Sequence, residues 1–97
     1  MEDNQEKMIR VRLTISGDVQ GVFFRAHTQE KAKELGVTGW VANEADGTVA
    51  VVAEGPENKI NDLADWCHGG PSTSQVKKVK IEQAPYMAEF EDFNIRY

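Results

Sequence analysis

The chain has 97 residues and a mass of 10.8 kDa, with 40% hydrophobic and 28% charged residues, the make-up of a single soluble domain. No apolar run approaches the ~20 residues of a membrane helix, the acidic start MEDNQEKM lacks the apolar stretch of a secretory signal, and one cysteine supplies neither an internal disulfide nor a Cys-rich zinc site, so a cytoplasmic protein is expected. The net charge is −5, with −2 in residues 1–8 and −2 in residues 89–97, which leaves a near-neutral body without the basic excess of a nucleic-acid binder or the basic amphipathic stretch of a membrane-surface protein.

Residues 1–8 are polar and aperiodic and read as a flexible acidic tail, with the folded domain at 9–97. Ile9, Val11, Leu13 and Ile15 then alternate with Arg10, Arg12, Thr14 and Ser16, a half-buried strand. Gly17-Asp18-Val19-Gln20-Gly21 is a loop. Phe24, Thr28, Ala32 and Leu35 recur at helical spacing from about Phe23, and Gly36 is a C-cap. Thr38 to Asn43 is a second strand, and Glu44-Ala45-Asp46-Gly47 a turn. Thr48 to Glu54 is almost continuously apolar and belongs at the centre of a sheet. Gly55-Pro56 opens a second helix with Pro56 in its first turn, and Ile60, Leu63, Ala64 and Cys67 form one apolar face. Gly69-Gly70-Pro71 stops it. Gln75 to Gln83 is a fourth strand, with Val79 and Ile81 inward and Lys78 and Lys80 outward, as befits an edge. Those lysines point to a monomer. Phe93, Ile95 and Tyr97 alternate in a short last strand. The sum is α+β: a ferredoxin-like βαββαβ sandwich, two helices on one face of an antiparallel sheet, plus that strand. Such a fold hosts many activities.

Chain direction adds more. The first strand runs into the Gly17–Gly21 loop, the first helix starts there, and the second strand returns to end at Asn43. Loop, helix N-terminus and Asn43 therefore share one end of the domain. Unpaired amides and a partial positive charge lie at that helix start, two glycines let the loop curve closely around a ligand, and Arg25 adds a guanidinium fork. Together they make a site for a phosphate-like anion.

Ile15-Ser16-Gly17-Asp18-Val19-Gln20-Gly21-Val22-Phe23-Phe24-Arg25 closely resembles the acylphosphatase loop signature. Gly39-Trp40-Val41-Ala42-Asn43, with Gly47, Val49 and Gly55 following, resembles that family's second signature, and Phe93-Asn94-Ile95-Arg96-Tyr97 its C-terminal strand. The resemblance spans residues 9–97. It implies hydrolysis of the carboxyl-phosphate bond of small acyl phosphates to carboxylate and inorganic phosphate, with no metal or other cofactor. The family's catalytic arginine falls on Arg25 and its catalytic asparagine on Asn43. The phosphate-cradling amides fall on Val19, Gln20, Gly21, Val22 and Phe23. The position between Gly17 and Val19, often Arg or Lys in the family, is Asp18, whose carboxylate opposes phosphate binding unless it points into solvent.

The residue types suit that chemistry. The leaving group is a stabilised carboxylate, so positioning and charge stabilisation matter more than a strong nucleophile. Arg25 can grip two phosphate oxygens, and the Asn43 amide can aim a water. An amide is no base near neutral pH, so the water's proton goes to the substrate's own phosphate.

Arg25 alone would be a solvated arginine, but a cation at a helix N-terminus is unfavourable without an anionic partner. Asn43 alone would be a turn residue. His27 projects about 200° around the helix from Arg25 and is assigned a structural or surface role. Cys67 lies on an apolar face and reads as an inert buried thiol, and Trp40 as packing. The competing function is a non-catalytic anion- or ligand-binding regulatory module of the same fold. An RNA-binding or metal-carrying module is disfavoured by the lack of aromatics in Thr48–Glu54 and of cysteines in the first loop.

The last strand has one further implication. If it runs parallel to the second strand, it delivers Tyr97 and its carboxylate to the Arg25 end.

Overall fold

Apolar residues at every second position of the first strand and every third or fourth of the helices divide the chain into one sheet and one helical layer. The computed structural model describes residues 7–70 and 75–97, so Pro71 and most of the acidic tail lie outside the described residues. The elements are β1 (Met8–Asp18), α1 (Val22–Leu35), β2 (Thr38–Asn43), β3 (Val49–Pro56), α2 (Glu57–Gly69), β4 (Gln75–Ala84) and β5 (Phe93–Arg96). The strand order is β4-β1-β3-β2-β5, antiparallel except where β5 joins β2 in parallel. This is the ferredoxin-like α+β arrangement, with β3 at the centre.

The two faces of the sheet follow from register. Val11, Leu13 and Ile15 stand opposite Ala53, Val51 and Val49, and all six are buried beneath the helices. Phe24 and Ala32 of α1 and Ile60, Leu63, Ala64 and Cys67 of α2 close the core from above. Burial of each large side chain here contributes roughly 1.5–3 kcal/mol. Burial also pushes the Cys67 thiol up to about 12, which makes it inert.

Three details differ from the sequence reading. β1 begins at Met8, and the Lys7 carbonyl accepts a bond from Glu57 N at 2.8 Å, so ordered structure starts before Ile9. Pro56 does not sit inside α2. Its φ of −60° and ψ of 140° are extended, so it completes β3 opposite Met8 and serves as the helix N-cap. Ile81 is 51% exposed instead of buried. Its partner Leu13 places it on the helix-facing side, but β4 is the edge strand, and the core is closed over its Val76 and Val79, which are half-buried, and leaves Ile81 open.

Among the described residues, the opposite face carries one buried charge. Glu54 is 1% exposed, and its carboxylate accepts bonds from Met87 N (2.7 Å), Glu89 N (2.8 Å) and the Arg10 guanidinium (3.3 Å). Arg10 also reaches Glu89 at 2.6 Å. Glu54 therefore straps the 85–92 connection across β3 and fixes where β5 begins.

Candidate active site

Gly17 turns the chain out of the sheet. A bulge falls between Ser16 and Gly17, where Gly17 has φ of 131° and a Cβ would lie 2.2 Å from the Gln75 carbonyl oxygen. Val19, 1% exposed, then anchors the loop in the core. Gly21 precedes α1 with φ of 120°, a conformation that favours glycine. No side chain caps the helix, and its first turn holds no acidic residue, so its leading amides are left for an external acceptor. Gly21 and the backbone of Val22 and Phe23 occupy that start, with the Phe23 side chain exposed.

Arg25 lies one turn in. Its side chain is largely buried, its Nε has no hydrogen-bond partner, and its guanidinium carbon lies 5.0 Å from the centroid of the Tyr97 ring. The sequence reading expected the Tyr97 carboxylate there, and the structure brings the ring instead. Asn43 ends β2 opposite Val49, on the helix side of the sheet. Its Oδ1 is buried and likewise without a partner. Ala42 faces Arg96, so Tyr97 follows beside Asn43. The three residues are thus gathered at one end from α1, β2 and the tail of β5.

Among the described residues, Arg25 Nε and Asn43 Oδ1 are the two buried side-chain polar atoms left unsatisfied. Each costs about 1–3 kcal/mol if nothing meets it. One is a cationic donor and the other a neutral acceptor, a pairing able to engage an anion and a water together.

Gln20 has two parts with different directions. Its backbone belongs to the loop, but its side chain donates from Nε2 to Glu44 O (2.8 Å) and Thr48 O (3.1 Å) in the β2–β3 turn. Sequence reading did not find this bridge, because the carbonyls it meets carry no side-chain signature. Asp18 is exposed at the end of β1 opposite Gln75. His27 is also exposed, its Nδ1 2.8 Å from the Phe23 carbonyl oxygen. Trp40 lies on the far face of the sheet, with the guanidinium of Arg96 4.4 Å from its ring centroid and that of Arg12 5.9 Å away. Among the described residues, no cluster of three His, Cys, Asp or Glu side chains could hold a metal ion, and no helix is long and apolar enough to cross a membrane.

The acylphosphatase family model matches residues 11–95. A curated acylphosphatase from Geobacter sulfurreducens is 49% identical over 89 residues, covering 92% of this chain and 98% of that protein. Among solved structures, an acylphosphatase from Coxiella burnetii superimposes with a TM-score of 0.87 at 38% identity, covering 97% of this chain and 100% of that one. The Bacillus subtilis acylphosphatase gives a TM-score of 0.87 at 32% identity, covering 92% and 99% of the two chains. With the match running nearly end to end in both sequence and fold, the chain belongs to the acylphosphatase family of hydrolases.

Proposed function

We propose that this acylphosphatase hydrolyses small acyl phosphates by holding the phosphoryl group between the loop amides of Val19–Phe23 and the Arg25 fork, while Asn43 orients the attacking water. The observation that carries this reading is that Arg25 Nε and Asn43 Oδ1 are both buried without a partner, Arg25 in the first turn of the uncapped α1 and Asn43 at the end of β2 on the same end of the sheet.

The water oxygen forms a bond to phosphorus as the bond from phosphorus to the carboxyl oxygen breaks. The electron pair of that bond leaves on the carboxylate, which needs no general acid at neutral pH. The water's proton passes to a phosphate oxygen, giving carboxylate and inorganic phosphate. Charge grows on the bridging and equatorial oxygens, and fixed N–H donors follow it without reorganising. No step is routed through a metal.

The partner is a small molecule. The acidic net charge and the absence of a basic excess support no nucleic-acid role. The exposed Lys78 and Lys80 on edge strand β4 support a monomer, and the single buried cysteine supports a reducing, cytoplasmic setting. The test is inorganic phosphate release from benzoyl phosphate, with and without a chelator. Chelator-insensitive turnover is expected. Binding of phosphate without turnover would instead make the domain a non-catalytic anion-binding module.

A further inference from the structure

We infer that the Gln20 side chain is a positioning residue that sets the spacing between the phosphate-holding loop and Asn43. The inference rests on the reaction proposed above and adds a role for a side chain that the reaction itself does not use.

The carboxamide of Gln20 has two N–H groups and spends them on two carbonyls, Glu44 O at 2.8 Å and Thr48 O at 3.1 Å. These two residues bracket the site strand ends. Glu44 directly follows Asn43, and Thr48 directly precedes Val49, which pairs with Asn43 across the ladder. Their turn is itself tied down. Glu44 N donates to Thr48 O (2.8 Å), Gly47 N donates to Glu44 O (3.2 Å), and Asp46 Oδ1 accepts from both Thr48 N (3.0 Å) and Thr48 Oγ1 (2.7 Å). Gln20 therefore fastens the loop to a rigid anchor and not to another loose segment.

The chemistry makes that spacing matter. Phosphorus is placed by the loop and α1, while the water is placed by Asn43 on β2. In-line attack requires the two to be held within about 0.5 Å of the productive geometry. Among the described residues, the Gln20 carboxamide makes the side-chain hydrogen bonds that join residues 19–21 to the 44–48 turn. Asparagine is one methylene too short to span this distance. Glutamate, when ionised, presents no donor and sets its charge against two carbonyl oxygens.

The test measures kcat, KM and the inhibition constant of inorganic phosphate on benzoyl phosphate for Gln20→Ala, in the parent and in Asn43→Ala. In the parent, kcat is expected to fall about 10- to 100-fold, since small misplacements of reacting groups cost that much. The phosphate inhibition constant should change less than about threefold, because the loop amides remain. In the Asn43→Ala background, Gln20→Ala should change kcat less than about threefold, because the group it positions is gone. Gln20→Glu is the second variant: its kcat deficit should shrink as pH falls and the new carboxyl gains a proton to donate, a trend absent in the parent. Equal losses in both backgrounds, or a phosphate affinity that falls in step with kcat, would overturn the inference in favour of general loop ordering. An unaltered kcat in Gln20→Ala would also overturn it. A parent without turnover would overturn the proposed reaction itself, so the two failures are distinguishable.

Discussion

The Arg25 guanidinium lies against the ring of Tyr97, 5.0 Å from its centroid, so a residue at the start of the first helix meets one just past the last strand. Tyr97 is 97% exposed, so the ring contributes little to burial and its removal tests orientation almost alone. A cation over an aromatic face is worth about 0.5–1 kcal/mol at such a site. Tyr97→Phe should keep kcat/KM within about twofold, and Tyr97→Ala should lower it about fivefold with melting temperature unchanged. Full activity in the alanine variant would show that the ring does not steer the guanidinium.

Arg25→Lys should lose about 10²-fold or more in kcat/KM. Lysine keeps the charge but lacks the planar fork and the Nε–H that Arg25 leaves unpaired. Steady-state kinetics with circular dichroism as a folding control decide it. Turnover within a few-fold of the parent would remove Arg25 from the reaction.

Asn43→Ala should separate catalysis from both binding and stability. Its Oδ1 is buried without a partner, so deleting it relieves a penalty of about 1 kcal/mol while leaving the loop amides in place. The expected result is a kcat lower by about 10²-fold, an unchanged inhibition constant for inorganic phosphate, and a melting temperature no lower than the parent's. Weakened phosphate inhibition in parallel with kcat would make Asn43 a substrate clamp instead.

Glu54 should govern acid stability. Burial alone would raise its pKa, but the Met87 and Glu89 amides and the Arg10 guanidinium outweigh burial and hold it below the ordinary carboxylate value of 4.5. The folded state therefore binds fewer protons at this group than the unfolded state. Its stabilisation is complete above about pH 4.5 and is lost as pH falls through the lowered folded value. Glu54→Gln should cost about 2 kcal/mol at pH 7, or about 10 °C in melting temperature, and flatten the decline of melting temperature below pH 5. An unchanged acid limb would show that the strap does not depend on the charge.

Local signals carried most of the fold. The alternation in β1, the apolar run of β3 and the stripe on α2 are one-dimensional patterns, and each corresponds to an element. Arg25 and Asn43 were legible as a pair because strand and helix directions place both at one end. What escaped the sequence depends on neighbours remote along the chain. Ile81 alternates correctly but lies on the edge strand past Val76 and Val79, the part that packs on the core. Glu54 looks like the polar end of a strand until the 85–92 connection closes over it. The Gln20 bridge ends on two backbone carbonyls, and the choice of ring over carboxylate at Arg25 depends on the last turn of the chain after Arg96.

β5 gives the enzyme two thermal ceilings. The strand has four residues, sits at the sheet edge, and pairs with β2 alone through a parallel ladder. Phe93 pins its start in the core, but Arg96 and Tyr97 at the other end are exposed. Such an end can peel away at a free energy far below that of global unfolding. Heating should therefore free Arg25 from Tyr97 and dim catalysis several degrees before the sheet melts. Inorganic phosphate, by engaging the guanidinium directly, should narrow that interval.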